Sequence, residues 1–242
     1  MVLIKLVKNS IGGAVLISLA TIGTANALQI TPISYDMENG GGGFVKYWDK
    51  KYNGTGNTSV DYAPLSGGVG DLTDGIIPTQ NWNTPGVENA DGTGPYVGWE
   101  NRNPVITFNF AGTVRINSVT VHVDDSNGAG GVFVPQSILL SMGGSNYNSG
   151  SLTDPPGAAP TSYSFSGLNF SGSSLQLTLN RRIEWVFASE VTFDGELLGV
   201  QPVPEPTSTL GFLALGTIGA ASTLQRKLKS SQSTEKETTK VG

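Results

Sequence analysis

Between Leu28 and Val203 there recur short stretches in which apolar residues fall at every second position. In Val105–Phe110 the residues Ile106, Phe108 and Phe110 share one side. From Val114 to Val123, Ile116 is followed by Val119, Val121 and Val123, with Thr120 and His122 opposite. The same spacing marks Gln136–Met142 (through Ile138 and Leu140), Ser162–Phe165, Ser174–Leu179 and Glu190–Phe193, and the apolar run in Glu184–Ala188 is a further strand candidate. A period of two predicts strands with one buried face. The separators Asn127–Gly131, Gly143–Gly150 and Asp154–Pro160 are rich in turn formers. No segment offers an amphipathic helical stripe. The pattern predicts an all-β fold, an antiparallel β-sandwich or jelly roll. Residues 28–98 are less regular, and Asn39–Gly43 reads as a soft linker or loop.

The two ends follow a different pattern. Lys5 and Lys8 precede an apolar run from Ile11 to Ile22, and Ala25-Asn26-Ala27 follows it. A positive start, an apolar centre and small residues at −3 and −1 make a secretory signal peptide, with cleavage expected after Ala27. The competing reading is an uncleaved anchor helix. At the other end Val203-Pro204-Glu205-Pro206 leads into an apolar stretch at about 209–224, then Arg226, Lys227 and Lys229. That stretch is just short of the roughly 20 residues of a usual spanning helix. The cations after it are expected to stay in the cytoplasm.

This tripartite order resembles the PEP-CTERM sorting signal of Gram-negative bacteria, over residues 203–229. The resemblance implies processing near Pro204, Glu205 and Pro206 by an exosortase, an integral-membrane transpeptidase-like enzyme, after passage through the secretion machinery. The polar tail Ser230–Gly242 departs from the family, whose members usually end soon after the basic cluster. An ordinary C-terminal anchor is the alternative. The expected organisation is a signal peptide (1–27), an irregular N-terminal segment of the mature domain (28–59), a β-sandwich domain (60–198), and a linker with the Pro-Glu-Pro motif (199–208). A transmembrane segment (209–224) and a basic cluster with a polar cytoplasmic tail (225–242) complete it.

Charge narrows the partners. Residues 28–203 hold sixteen Asp and Glu against seven Lys and Arg, so the mature domain is near −9 while the whole chain is −5. Such a domain repels phosphate backbones, which argues against nucleic acid and leaves divalent cations and neutral ligands such as sugars. The chain has no Cys, so disulfides, thiolate metal sites and cysteine nucleophiles are excluded together. With 33 Gly among 242 residues and ample Val, Ile, Leu and Phe, many turns between short strands are expected, not disorder.

A second resemblance rests on the order of several short pieces. Leu72-Thr73-Asp74-Gly75, Trp82 and Tyr96-Val97-Gly98-Trp99 precede the strand Val105–Phe110. Ile116-Asn117-Ser118-Val119-Thr120-Val121, Gly131-Val132-Phe133-Val134-Pro135 and Ser189-Glu190-Val191-Thr192-Phe193-Asp194-Gly195 follow. Over about residues 60–198 this is similar to the discoidin or coagulation-factor C-type family, which implies a galactose-binding-like jelly roll of eight strands. In that family an Asp-Gly loop often helps hold a structural Ca²⁺, and a Glu on the last strand approaches it. The resemblance therefore implies Asp74 and Glu190 as metal ligands, joined by carbonyls and water because Ca²⁺ needs six to eight oxygens. A turn-capping Asp and a solvent-facing Glu are the plain alternative.

Trp48, Tyr52, Trp82, Tyr96, Trp99 and Trp185 are the aromatic candidates for stacking on a sugar. Trp99 and Trp185 lie beside strands and are expected in the core. Trp48 and Trp82 lie in loop-like sequence and are the better ligand-binding candidates. His122, the single histidine, is expected on an exposed strand face, and Asp124–Gly128 is expected to be a hairpin turn lacking the spacing of a Ca²⁺ loop. No nucleophile elbow, zinc-protease or complete phosphate-loop motif is present. The sequence points to a non-enzymatic cell-surface or extracellular-matrix protein that recognises extracellular polysaccharide. A structural envelope protein without a small ligand is the alternative, and a carboxylate-dependent hydrolase a remoter one.

Overall fold

Strand β5, Val105–Val123, organises the sheet because it changes partner along its length. A computed structural model describes residues 28–199 of the chain. The other strands are β1 (Leu28–Gln29), β2 (Ser34–Glu38), β3 (Pro64–Gly68), β4 (Val97–Glu100), β6 (Ser137–Met142), β7 (Ser145–Asn148), β8 (Thr161–Asn180) and β9 (Trp185–Leu197). Every pairing between them is antiparallel. The first part of β5 pairs with β2, Ser34 opposite Asn109, and the second with β9, Val119 opposite Phe193. On its other edge β5 pairs with β8 throughout, β8 continues to β6, and β6 to β7. β4 joins the first residues of β9, and β1 its last. Long strands that switch partner at bulges are how an antiparallel sheet folds over on itself to enclose one core.

The bulges can be read residue by residue. Ile106, Phe108, Phe110, Val114 and Ile116 are buried, all at even positions, whereas Val119, Val121 and Val123 are buried at odd ones. The register against β9 slips between Ile116 and Ser118, leaving Asn117 as the extra residue. One inserted residue inverts which face each later side chain occupies, so both halves of β5 bury their apolar set. Across the bulge Gly195 lies so close to β5 that an added Cβ would collide with the Arg115 carbonyl oxygen. Only glycine allows that approach.

Each pair of short strands expected at 105–123, 161–180 and 184–197 is one continuous strand. The stretch 28–59, expected to be irregular, supplies β1 and β2. Gly143–Gly150, expected as a turn-rich separator, holds β7. Gly143 and Gly144, at φ 56° and 83°, form the two-residue turn of the β6–β7 hairpin, the left-handed conformation such turns require. Asn39–Gly43 is no soft linker. Asn39 is fully buried, and its Oδ1 accepts the Gly40 and Asp49 N–H groups at 2.9 and 2.8 Å. Gly41 donates to the Gly98 carbonyl at 2.8 Å, so the segment runs alongside β4. Its lack of side chains lets the backbones meet, which composition alone reads as looseness. Asp124–Gly128 is no hairpin either, since β6, the next strand, pairs with β8 and not with β5.

Among the described residues no helix is long and apolar enough to cross a membrane. The two expected helices, at 1–27 and 209–224, lie outside them. So do Ala25, Ala27, Pro204, Glu205, Pro206, Arg226, Lys227 and Lys229.

Candidate functional site

Beside the main core lies a smaller aromatic cluster, formed by Tyr47, Tyr96, Val132, Trp185 and Phe187, with Val45, Trp82 and Val87 packed against it. The Trp82 ring meets Tyr47 edge-on at 5.6 Å between centroids and Phe187 at 6.0 Å. Gly130 (φ 63°) lies beneath it, where a Cβ would come within 2.5 Å of the ring. Such edge-to-face pairs add about 0.5–1.5 kcal/mol each to the area they bury. The loop from Asn81 is held by the Asn81 side-chain amide, which donates to the Asp125 carbonyl at 2.8 Å.

An open, mostly apolar pocket of about 470 Å³ borders this cluster, lined by Phe44, Val45, Trp82, Asn83 and Pro85, with Glu88 at its edge. Phe44 is 91% exposed, although it is a large apolar ring. Nothing in the pattern of strands marks Phe44, because it stands alone after the glycine run. The Trp82 indole N–H is buried without an acceptor. Glu88 accepts the Tyr96 N–H at 3.0 Å, and burial pushes its carboxyl up to about 8, an effect the Tyr96 hydrogen bond opposes. Asp124, fully buried, is raised to about 6 by desolvation, with the Ser126 hydroxyl donating to it at 2.5 Å. These buried acids carry no signal in the sequence, where they look like turn residues.

The other expected stacking residue is differently placed. The Lys46 and Lys50 ammonium groups lie 5.1 and 5.4 Å from the Trp48 ring centroid, and its indole N–H donates to Asp61 at 2.7 Å. Trp99 is fully buried, donating to the Glu38 carbonyl at 2.9 Å, and Trp185 is buried in the small cluster. His122 is half-buried, not exposed, opposite Glu190 in the β5–β9 register, and burial lowers its pKa.

The structure brings Asp74 and Glu190 to one place. The Gly75 N–H donates to Glu190 Oε2 at 3.0 Å, tying the turn after the 3-10 helix Asp71–Thr73 to β9. Both residues line a cavity of about 210 Å³ together with Ile30, Thr31, Thr73 and Thr192. Glu190 is 3% exposed, and burial raises its carboxyl to about 7, with the Asp74 charge adding to the effect. Asp74 pairs with Lys51 at 2.7 Å and accepts the Ile76 N–H at 2.9 Å. Lys51 also reaches Asp71 at 3.0 Å. Asp71 is itself buried, and its N–H donates to Asp49 at 2.9 Å. Desolvation first, then the Asp71 charge, raises the Asp49 carboxyl, which also accepts the Tyr35 hydroxyl. The Thr73 hydroxyl is buried and unpartnered. Among the described residues no three His, Asp or Glu side chains stand close enough to hold a metal by themselves.

Among solved structures, similarity extends to a serum fucolectin from the striped bass Morone saxatilis, at 16% identity over 72% of this chain and 49% of that one (TM-score 0.40). A truncated AlyQ with CBM32 and alginate lyase domains matches at 14% identity over 71% and 34% (TM-score 0.39). The family 32 carbohydrate-binding module of NanJ from Clostridium perfringens, in complex with galactose, matches at 9% over 45% and 86% (TM-score 0.30). The chain thus spans about half of the fucolectin and a third of the AlyQ chain. No curated protein matches. The PEP-CTERM protein-sorting motif matches residues 202–227, so the chain carries that signal. The model of the discoidin domain-containing receptor 1/2, DS-like domain matches residues 32–195, which take in every strand but β1 and the last residues of β9. With that match covering most of its length, the chain belongs to the discoidin-like domain family.

Proposed function

We propose that the protein is an exported, non-enzymatic surface or matrix protein whose discoidin-like domain binds carbohydrate in the pocket between Phe44 and Trp82. On this reading an exosortase-type enzyme processes it near Pro204–Pro206. The observation that carries the binding site is Phe44, an aromatic ring left in water at the rim of a concave apolar surface. Aromatic rings stack on the C–H faces of sugars, and Asn83 and Thr84 on the same wall supply hydroxyl partners. The test is a glycan-array screen of the exported protein and its Phe44→Ala variant, which removes the ring without touching the core. Binding by the parent that is lost in the variant supports the pocket. Undiminished binding in the variant rejects it. A parent that binds no glycan favours the structural envelope role, in which Trp82 only packs on Tyr47 and Phe187.

The Asp74–Glu190 cavity fits a structural Ca²⁺ in part. The unpartnered Thr73 hydroxyl and the buried Glu190 carboxyl are oxygens that lack a full set of partners in a place where charge is costly. Asp74, Thr73 and Glu190, with backbone carbonyls, would hold the ion, and its charge would lock the Gly75 turn to β9. Asp74 would then share its carboxylate with the ion instead of giving it to Lys51 alone. Melting curves of the parent and of Asp74→Ala, in millimolar Ca²⁺ and in chelator, test this. Ca²⁺ raises the melting temperature of the parent only, and identical parent curves in the two conditions reject the site.

A further inference from the structure

The outward face of the sheet around the β6–β7 hairpin is polar but carries no charge. Thr107 on β5 lies opposite Gln176 on β8, Gln176 opposite Ser141 on β6, and Ser141 opposite Asn146 on β7. One row of hydroxyl and amide side chains thus crosses four strands, a span of about 14 Å at the usual strand spacing. A groove of about 340 Å³ follows it, with Ser174 and Ser145 on its walls and the Gly143–Gly144 turn at its end. At the β2 end the row meets Asp36, whose carboxylate is taken up by Ser66, Gly67 and Asn109 at 2.6, 2.9 and 2.9 Å.

Some polar side chains elsewhere on the outer surface satisfy one another. Thr120 and Ser164 share a hydrogen bond of 2.8 Å, Ser118 donates to Asp194 at 2.8 Å, and Arg115 pairs with Glu196. In the groove, by contrast, no side-chain hydrogen bond engages Thr107, Ser141, Ser145, Asn146, Ser174 or Gln176 among the described residues. Their donors and acceptors all remain available to a ligand. The lining is neutral in a domain near −9, so an anionic chain meets repulsion from the surroundings, and the nearest carboxylate in the row, Asp36, is already taken up by Ser66, Gly67 and Asn109.

We propose that this groove is a second carbohydrate site, which takes an uncharged polysaccharide chain laid across β5, β8, β6 and β7. Many shallow hydrogen bonds along one strip suit a polymer of repeated hydroxyls, whereas a single sugar would gain too few of them. The groove shares no residue with the Phe44–Trp82 pocket, so the inference stands without that reading. A module with two sites on one rigid domain can bridge chains, and a bridged network retains the protein by avidity.

The test is electrophoresis of the exported protein through gels containing an α-glucan, a β-glucan, a galactan or a galactomannan, with alginate as the anionic control. The parent is retarded by at least one neutral polymer and not by alginate. The double variant Gln176→Ala, Asn146→Ala, altered only at exposed positions, loses about tenfold or more of that affinity, the effect of a few net hydrogen bonds. Phe44→Ala keeps the polymer retardation. Gln176→Arg, which puts charge and bulk in the groove, is a second variant with the same expected loss. Retardation unchanged in both groove variants overturns the site, as does a parent that no neutral polymer retards. Loss in Phe44→Ala alone also overturns it while leaving the pocket intact.

Discussion

Replacing Glu190 by Gln should stabilise the domain in alkaline chelating buffer and make no difference in acid. Burial raises the Glu190 carboxyl from its ordinary 4.5 to about 7, and the Asp74 charge helps. A carboxyl whose folded pKa lies above its unfolded one favours folding most when protonated. Its contribution is fully present below pH 4.5 and is lost as the pH rises through about 7. At about 1.4 kcal/mol per unit, the loss by pH 8 is on the order of 2–3 kcal/mol once partial hydration is allowed for. Glutamine keeps an oxygen for the Gly75 N–H and carries no charge to bury. For a domain of this size the variant should therefore melt roughly 5–10 °C above the parent at pH 8.

At pH 4, where the parent carboxyl is protonated as well, the difference should vanish. Scanning calorimetry in chelator at pH 4, 6 and 8 reads both quantities. Equal melting at pH 8, or a variant less stable at every pH, would show that Glu190 is comfortably solvated or that its charge is already balanced. Ca²⁺ then separates the two roles of this residue. A bound ion should stabilise the parent at pH 8 by about 2.7 kcal/mol at a hundredfold excess over its dissociation constant, and Glu190→Gln by much less.

Deleting Asn117 should abolish folding, because Val119, Val121 and Val123 would turn outward together; circular dichroism reads the loss, and a folded deletion variant would mean the bulge can migrate. Trp99→Ala should cost about 3–5 kcal/mol at every pH, measured by urea unfolding, since a fully buried ring and its hydrogen bond to the Glu38 carbonyl are lost and neither titrates. Asp49→Asn should reduce the fall in stability as the pH rises from about 4 to about 7, because it removes one of two adjacent buried acids while keeping an oxygen for the Asp71 N–H. Exported protein should begin at Leu28, and changing Arg226, Lys227 and Lys229 to Ser should disturb sorting; N-terminal sequencing and fractionation check these.

How much of this is legible in the sequence follows from the range over which each feature is encoded. Alternation is local, so the apolar faces of β5, β6, β8 and β9 can be read directly, including the change of phase after Ile116. What that change means cannot be read, because a bulge is defined by the partner strand, here by Gly195 lying against Arg115. For the same reason strands that pass through a bend look like pairs of short ones. Glycine runs are ambiguous in the same way. Composition reads Gly40–Gly43 as loose, yet an added side chain would collide there, at Gly40 with the Tyr47 carbonyl and at Gly41 with the Tyr62 ring. The ordered motif Leu72–Gly75 with Glu190 does locate a loop and a strand that meet across 115 residues, the Gly75 N–H on the Glu190 carboxylate, because a family resemblance carries long-range information that periodicity lacks. Phe44, Asp49 and Glu88 belong to no such motif. Each acquires its character only when a loop folds over it or fails to, and that is settled by contacts far along the chain.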